Sequence, residues 1–268
     1  MSIELPLTID LLFGETALTS QFSETRAKNE TPQWMLRVRL LSEVFVLRAL
    51  PWNSREKYDP ICYSNQEYLK SALNFMSALP ELKSLPILEL GCGDGLVSMF
   101  MKRRGFKGIV TSDIENADSM SILKWNNERN GLYHKHIPFN WGQKFPTSEL
   151  AQYWKEQVSV DTVDGLDYGP YVAMLHDVCL ILANDVLFDS QYFPMFQDTI
   201  DQLFSFIEKD LKRVPVLLLG IGSEHLTEEQ QKFFSQLEKR DSTSVDPLGK
   251  GHNMFLVSLK NRKPTLFI

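Results

Sequence analysis

The chain has 268 residues, of which 43% are hydrophobic and 23% are charged, and its formal net charge is −6. A chain of this length can bury one full-sized hydrophobic core and does not require a second domain. The acidic balance argues against a protein that binds nucleic acid through the phosphates, so we expect a protein or small-molecule partner.

The apolar runs, such as residues 214–221, have the length of a strand, and acidic residues stand near the N-terminus where a signal peptide would be positively charged. We therefore expect no membrane span and a cytosolic location, with the nucleus as a second location. The three cysteines, Cys62, Cys92 and Cys179, are widely spaced and form no C-x-x-C pair. This spacing predicts buried thiols, with neither a disulfide framework nor a zinc site.

Residues 1–32 have no sustained period and predict loose strands or an extension. From Pro32 onward the apolar residues recur at intervals that suit a helix, which Thr31 would cap and Pro51 would end. These apolar residues are Trp34, Val38, Leu41, Val44, Phe45 and Ala49. A second helix is predicted over residues 64–79. We therefore divide the chain into a partly helical N-terminal extension, residues 1–55, and a main domain, residues 56–268.

In the main domain, short apolar runs alternate with helical stretches, which is typical of a mainly parallel sheet covered on both faces. Near the C-terminus two apolar runs flank a turn-rich segment and predict an antiparallel hairpin. The sequence thus predicts an α/β fold with a Rossmann-like seven-stranded sheet. Residues 148–171 form a long connection, predicted to contain a helix over 149–157 and a loop. The predicted strands span residues 86–90, 108–112, 136–139, 178–183, 214–220, 242–245 and 254–259.

The first of these strands leads into the glycine turn, residues 91–95, with the sequence G-C-G-D-G, and then into a helix. Glycines let the backbone approach a ligand closely, and the helix N-terminus offers unpaired N–H groups. Leu96 stands where a dinucleotide fingerprint needs glycine, which argues against a nicotinamide cofactor. Glu89 would lie badly beside a pyrophosphate but suits a ligand with an ammonium group and a sulfonium centre. The alternative is a purely structural tight turn.

Two further strand ends carry candidate ligand contacts. Asp113 ends the second strand, where a carboxylate can accept hydrogen bonds from both hydroxyls of a ribose, although it can equally cap a helix. Trp141 follows the third strand beside Gly142 and can pack on an adenine ring. A single tryptophan is, however, more often part of a hydrophobic core.

The fourth strand ends in the sequence Asn184-Asp185-Val186-Leu187-Phe188. In open α/β sheets the ligand lies outside the carboxyl ends of the strands, so polar groups that follow this strand face the site. Asp185 is the candidate for a carboxylate that faces the substrate. The alternative is a helix cap with Phe188 buried beneath it.

Taken together and in this order, these segments resemble the family 16 seven-β-strand protein methyltransferases. That group includes lysine methyltransferases that act on translation elongation factors, Hsp70 chaperones and calmodulin. The resemblance covers roughly residues 58–260. It rests on L-E-L-G-x-G-x-G at residues 88–95, Ser112-Asp113, the N-x-x-x-N pair Asn126 and Asn130, Trp141-Gly142, and the acidic-x-x-aromatic element from Asp185 to Phe188.

The resemblance implies S-adenosylmethionine as cofactor and a protein lysine as methyl acceptor. Asp185 would then orient or help to deprotonate the incoming amine, and Phe188 would line a narrow slot whose aromatic face also favours a cation. It implies no metal and a monomeric enzyme. The expected cofactor contacts are Glu89, Gly91, Cys92, Gly93, Asp113, Ile114, Trp141 and Asn184.

Other functions stay open at this point. The same fold supports methylation of a histidine or a small molecule, and a catalytically silent scaffold that binds a partner is a third possibility. His134-x-His136 invites a metal site, but alternation at a strand start explains the spacing better.

We expect the acceptor lysine to lie in a basic neighbourhood, because Asp and Glu total 34 against 28 Lys and Arg. We expect acidic segments near the active face, namely residues 208–210 and the loop with Asp161, Asp164 and Asp167. The first 50 residues and the 148–171 segment are expected to contact the substrate.

Overall fold

The structure is a computed structural model that describes residues 83, 85–157, 178–221, 225–240, 242–247 and 254–260, together with four strands within residues 7–49. Of these first four strands, side chains are described at residues 45–48. The predicted helix over residues 64–79, Cys62 and the acidic loop 161–167 lie outside the described residues.

A seven-stranded sheet forms the centre of the molecule, with the strand order β10-β11-β9-β8-β5-β6-β7. Strands β7, β6, β5, β8 and β9 run parallel to their neighbours, whereas β11 runs antiparallel to both β9 and β10. The predicted α/β fold, with five parallel strands and an antiparallel C-terminal hairpin, is confirmed. The strands are β5 (Ile87–Leu90), β6 (Ile109–Asp113), β7 (Lys135–Pro138), β8 (Val178–Asn184), β9 (Val214–Gly220), β10 (Thr243–Pro247) and β11 (Met254–Leu259).

Within the described residues, five α-helices lie between these strands, and several of their ends follow capping rules. The Asn116 side chain accepts hydrogen bonds from the first turn of α2, and Gly131, with φ 64°, ends that helix. Thr227 and Gln230 form a capping box at the start of α5. Helix α3 confirms the helix predicted over residues 149–157. The helices are α1 (Leu96–Arg103), α2 (Ala117–Asn130), α3 (Thr147–Gln157), α4 (Phe193–Lys209) and α5 (Glu228–Glu238), and a 3-10 turn spans Ser190–Tyr192.

The N-terminal strands form a separate four-stranded antiparallel sheet in the order β1-β2-β3-β4, here called the N-terminal sheet. The strands expected before residue 32 are present. The helix predicted from Pro32 is wrong, because the chain there forms two paired strands. Apolar residues four positions apart, such as Trp34 and Val38, fall on one side of the segment whether it is a helix or a strand. Pairing with the neighbouring strand therefore determines that the segment is a strand. The strands are β1 (Leu7–Phe13), β2 (Thr16–Thr25), β3 (Gln33–Leu40) and β4 (Glu43–Ala49).

The main core lies around the middle of the seven-stranded sheet. All four residues of β5 are buried, as are six of the seven residues in each of β8 and β9. Strands buried on both faces are continuous apolar runs in the sequence, and the predicted positions of these strands therefore agree closely with the observed ones. Cys92 and Cys179 are buried thiols, as predicted. Among the described residues, no helix is both long and apolar enough to cross a bilayer.

Candidate functional site

The carboxyl ends of β5, β6, β7 and β8 lie along one edge of the sheet, because these strands are parallel neighbours. From β5 the chain continues to β6 and β7 on one side, whereas β8 pairs on the other side. The strand order therefore reverses between β5 and β8, the place where open α/β sheets bind ligands. The loops at this edge are the glycine turn, the segment after Asp113, the segment around Trp141, and the acceptor loop, residues 184–189.

The glycine turn is packed closely on one side and open on the other. A Cβ atom at Gly91 would lie 2.7 Å from Val186 Cγ1 and 3.9 Å from Trp141 Cζ2, so only glycine fits there. A Cβ at Gly93 would meet no atom within 4 Å, and this residue is exposed. The turn thus brings Trp141 and the acceptor loop against Gly91 and presents the backbone of Gly93 to open space.

Asp113 ties the end of β6 to the glycine turn. Its Oδ2 accepts a hydrogen bond of 2.6 Å from the amide of Gly93, and its Oδ1 accepts one of 2.7 Å from the amide of Ile114. Burial raises the pKa of this carboxyl, and the two amides oppose that rise. Because a carboxylate oxygen can accept more than one hydrogen bond, both oxygens can accept further hydrogen bonds. The alternative role as a helix cap is excluded, since Asn116 caps α2.

Glu89 lies beneath the turn and is 4% exposed. Its Oε2 accepts a hydrogen bond from the hydroxyl of Ser98, which is also buried. Burial raises the pKa of Glu89 to about 7, the Ser98 hydrogen bond opposes the rise, and the negative charge of Asp113 adds to it. The predicted contact of Glu89 with a ligand ammonium stays a prediction.

Trp141 lies between the glycine turn and α4. Its ring centroid is 5.2 Å from that of Phe196, which is fully buried, and the indole itself is half-buried. The neighbouring Gly142 lies against Met195, whose Cγ would be 3.3 Å from an added Cβ. Trp141 therefore packs on the core with one part of its ring and reaches the site edge with another.

The acceptor loop begins with a polar atom that has no partner in the described part of the chain. Among the described residues, no group hydrogen-bonds to Oδ1 of Asn184, which is buried at the end of β8. A buried oxygen without a donor costs free energy, and a donor group of a bound ligand would remove that cost. Asp185 follows with φ 56°, and its amide donates to the carbonyl of Gly220.

The alternative interpretation of the acceptor loop, a cap over a buried Phe188, is wrong. Phe188 is 55% exposed and lies beside Tyr192, with 6.2 Å between ring centroids. The capping residue of the following 3-10 turn is Asp189, which accepts from the amide of Gln191. Both Asp185 and Phe188 follow β8 at the carboxyl edge of the sheet, and the ring of Phe188 is exposed there.

Two polar contacts and one pKa shift were not predicted as part of the site. The Gln230 side chain, buried on α5, donates a 2.7 Å hydrogen bond to the carbonyl of Leu187 and so supports the acceptor loop. Burial raises the pKa of Asp94 in the glycine turn to about 7. Asn126 on α2 contacts the same turn through the Asp94 carbonyl. The sequence identified Asn126 only as part of a motif and gave no sign of its partner.

The two histidines near β7 have different surroundings. Nδ1 of His136 lies 3.0 Å from the Thr111 hydroxyl, whereas neither ring nitrogen of His134 has a partner among the described residues. Burial chiefly lowers the pKa of His134 to about 4, which keeps its ring neutral near pH 7. Within the described part of the chain, no group of three or more His, Cys, Asp or Glu is placed to hold a metal ion.

Helix α3, which contains the described part of segment 148–171, and the acidic residues 208–210 lie at the opposite edge of the sheet. Trp154 of α3 donates to the carbonyl of Gly108, and Glu149 pairs with Lys135, so α3 lies at the amino ends of β6 and β7. Residues 208–210 end α4 and precede β9, which places them at the amino ends of the strands as well. The expectation that residues 208–210 lie near the active face is therefore wrong. The substrate contact expected of segment 148–171 stays a prediction, because residues 158–171 lie outside the described residues.

No model of a known protein family matches the chain. No curated protein matches it either. The fold is similar to that of solved structures. One is the ribosomal protein L11 methylase from Lactobacillus delbrueckii subsp. bulgaricus, with 17% identity over 80% of this chain and 95% of that chain and a TM-score of 0.42.

A second is the O-methyltransferase from Bacillus cereus in complex with SAH, with 16% identity over 77% of this chain and 93% of that chain and a TM-score of 0.37. A third is the O-methyltransferase TomG from Streptomyces achromogenes, solved with SAM, with 15% identity over 76% of this chain and 90% of that chain and a TM-score of 0.37. At such values the likeness concerns the fold alone.

Proposed function

We propose that this chain is a methyltransferase that uses S-adenosylmethionine and transfers the methyl group to a lysine side chain of a protein. The observation that carries the proposal is the link between Asp113 and Gly93, which places a carboxylate beside an open glycine backbone at the reversal of strand order. An adenosyl ligand needs these two features: an acceptor for its ribose hydroxyls, and protein backbone close to the part of the ligand that is attached to the ribose.

The surrounding residues fit the same ligand. Oδ1 of Asn184, which has no partner among the residues that the structure describes, would accept a hydrogen bond from an ammonium or amide donor of the ligand. The exposed Ile114, with 56% of its surface accessible, follows Asp113 and offers an apolar contact for the adenine, and Trp141 borders the turn from the other side. Leu96 in place of a third glycine disfavours a dinucleotide.

S-adenosylmethionine would supply a methyl group activated by a sulfonium centre. Transfer is an in-line displacement, so the chain has to hold the acceptor nitrogen opposite the sulfur and exclude water. Asp185 follows β8 at the site edge, where its carboxylate would hold the lysine nitrogen and help to remove its proton. Phe188 would cover the slot with its exposed ring and favour the approaching ammonium through its aromatic face.

The alternatives predict different products. A histidine or small-molecule methyltransferase would use the same cofactor contacts with another acceptor, and a silent scaffold would bind the cofactor without turnover. The Asp185–Phe188 pair favours the lysine acceptor. The acidic balance of the chain further favours a substrate with a basic surface.

Two measurements test this proposal. Calorimetry with S-adenosylhomocysteine should show one site of micromolar affinity, and saturating ligand should raise the melting temperature. Incubation with a cofactor labelled on its methyl group and a cell lysate, followed by acid hydrolysis of the labelled band, identifies the acceptor. Label recovered as methyl-lysine supports the proposal. Label on histidine or on a small molecule selects the alternative, and binding without any transfer selects the scaffold.

A further inference from the structure

Two asparagine side chains on α2 pair with the backbone of the N-terminal sheet as another strand would. Oδ1 of Asn126 accepts from the Arg48 amide at 2.6 Å, and its Nδ2 donates to the Arg48 carbonyl at 2.9 Å. Asn130 repeats both contacts with Val46, at 3.1 Å and 2.8 Å. The outer edge of β4 is thus closed by side-chain amides, which satisfies backbone groups that an edge strand would leave unpaired.

Packing beside these hydrogen bonds holds β4 firmly. Phe45 and Leu47 are both 0% exposed, and the Phe45 ring lies 6.3 Å from that of Phe100 on α1. The guanidinium of Arg48 lies 4.3 Å from the centroid of the Trp125 ring, and that of Arg103 lies 4.2 Å from the Phe45 ring. Strand β4 is therefore held firmly against α1 and α2.

Asn130 also donates a 2.7 Å hydrogen bond within α2, to the carbonyl of Asn126. Asn126 instead makes its further contact outside the helix. Its Nδ2 also donates a 2.9 Å hydrogen bond to the carbonyl of Asp94 in the glycine turn. The amide of Gly95, on the other side of that peptide group, donates 2.9 Å to the carbonyl of Cys92. The Asp94–Gly95 peptide group is held at both its oxygen and its nitrogen, so it cannot rotate without losing both hydrogen bonds.

The orientation of this peptide group matters because Gly95 has φ 82° and directly precedes the first residue of α1. Rotation of the group would change the direction of the turn and of the amides that open the helix. A turn held in one conformation before the ligand arrives loses less conformational entropy on binding than a turn that must be ordered.

We propose that Asn126 is a positioning residue of the cofactor site, which fixes the Asp94–Gly95 peptide group and uses β4 of the N-terminal sheet as its support. This inference rests on the proposed function for the identity of the ligand. It makes β4 of the N-terminal sheet a part of the cofactor site architecture.

The test compares full-length wild-type protein with Asn126→Ala and the matched control Asn130→Ala. Both variants lose two hydrogen bonds to β4, but only Asn126→Ala frees the Asp94 carbonyl. We expect Asn130→Ala to bind S-adenosylhomocysteine within about twofold of wild type and Asn126→Ala to bind roughly tenfold more weakly, at a temperature well below all melting transitions. Hydrogen exchange at the Gly95 amide should be faster in Asn126→Ala alone.

Equal losses of affinity in the two variants would overturn the inference, because docking of β4 and not the Asp94 contact would then set the affinity. An unchanged affinity in Asn126→Ala would overturn it as well. If that variant does not fold, Asn126→Asp keeps an acceptor for the Arg48 amide while it removes both N–H donors, and the same two outcomes apply. If the wild-type protein binds no ligand, the proposed function is refuted. Hydrogen exchange at the Gly95 amide then still tests whether Asn126 fixes the Asp94–Gly95 peptide group.

Discussion

The carboxylate of Asp113 accepts a hydrogen bond of 2.6 Å from the amide of Gly93, so the ends of β5 and β6 are joined across the site. A ligand that bound ribose through Asp113 would therefore meet a carboxylate whose position is already fixed by the turn. Preorganisation of this kind reduces the entropy lost on binding. The hydrogen bond also makes substitutions at residue 113 act in two ways, on the ligand and on the turn.

Asp113→Ala should weaken S-adenosylhomocysteine binding roughly tenfold or more. The variant loses hydrogen bonds to ribose worth about 1 kcal/mol each, or somewhat more for a charged acceptor, and leaves the Gly93 amide without its acceptor. Asp113→Asn, which keeps one acceptor oxygen, should fall between wild type and alanine. Calorimetry measures all three. Asp118→Asn, an exposed carboxylate in the first turn of α2, is the matched control and should bind as wild type. Unchanged affinity in Asp113→Ala would refute the ribose assignment.

Asp185→Asn should abolish turnover and leave cofactor affinity within a few-fold of wild type. Asparagine tolerates the φ of 56° at this position, whereas alanine would add backbone strain to the loss of charge. The change therefore tests the carboxylate alone. Single-turnover methylation and calorimetry separate chemistry from binding. The control is Asp189→Asn, four residues further along the same loop. This variant keeps the oxygen that caps the 3-10 turn, and we expect it to be fully active. An active Asp185→Asn would limit this residue to a structural role.

Phe188→Ala should reduce turnover with little loss of stability, because the ring is 55% exposed. A substitution at such a site costs about 1 kcal/mol or less, which lowers the melting temperature by roughly 4 °C at most. Phe196→Ala is the comparison, since Phe196 is 0% exposed and loss of a buried phenylalanine costs about 3 to 5 kcal/mol. A melting temperature that falls as far for Phe188→Ala as for Phe196→Ala would mean that Phe188 serves the core.

The positions of the central strands were predictable because strands buried on both faces are continuous apolar runs in the sequence. Strand β9 was predicted over residues 214–220 and is observed over Val214–Gly220. The order of the loops at the carboxyl edge followed from the alternation of strands and helices, which also located Asp113 and Asp185.

Contacts between distant segments and the directions of side chains were not predictable from local pattern. Residues 33–49 fit both helical and strand spacing, and only pairing between β3 and β4 decides the outcome. Asn126 and Arg48 are 78 residues apart, so no local motif reports their hydrogen bonds. Glu89 was placed correctly at the strand end, but the sequence gave no sign that its carboxyl would bond to Ser98.

The buried carboxyl of Glu89 should make stability depend on pH. Its pKa is about 7 in the folded protein, against 4.5 as the ordinary value. Between these values the folded state keeps a proton that the unfolded state has lost, so stability falls as pH rises from about 4.5 to about 7. His134 acts in the opposite direction: with a pKa lowered from 6.5 to about 4, it destabilises the fold as pH falls through that range. The wild-type profile alone therefore cannot isolate Glu89.

Glu89→Gln should remove the Glu89 contribution and keep an acceptor for the Ser98 hydroxyl. The difference in unfolding free energy, variant minus wild type, should increase between pH 4.5 and pH 7 and level off above pH 7, by on the order of 3 kcal/mol at most. Urea unfolding at a series of pH values measures this difference, and Glu238→Gln, at an exposed glutamate of α5, should give a smaller change. A flat difference for Glu89→Gln would show that the folded carboxyl ionises near its ordinary pKa.

The same carboxyl provides a test of ligand contact. An ammonium group close to Glu89 would favour its ionised form and lower its pKa, so binding near pH 6 should release protons. Calorimetry of S-adenosylhomocysteine in buffers of different ionisation enthalpy counts those protons, and Glu89→Gln should release fewer. Equal release from wild type and Glu89→Gln would leave Glu89 with a structural role beneath the turn, bonded to Ser98, and would assign the ligand ammonium to other acceptors such as Asn184 Oδ1.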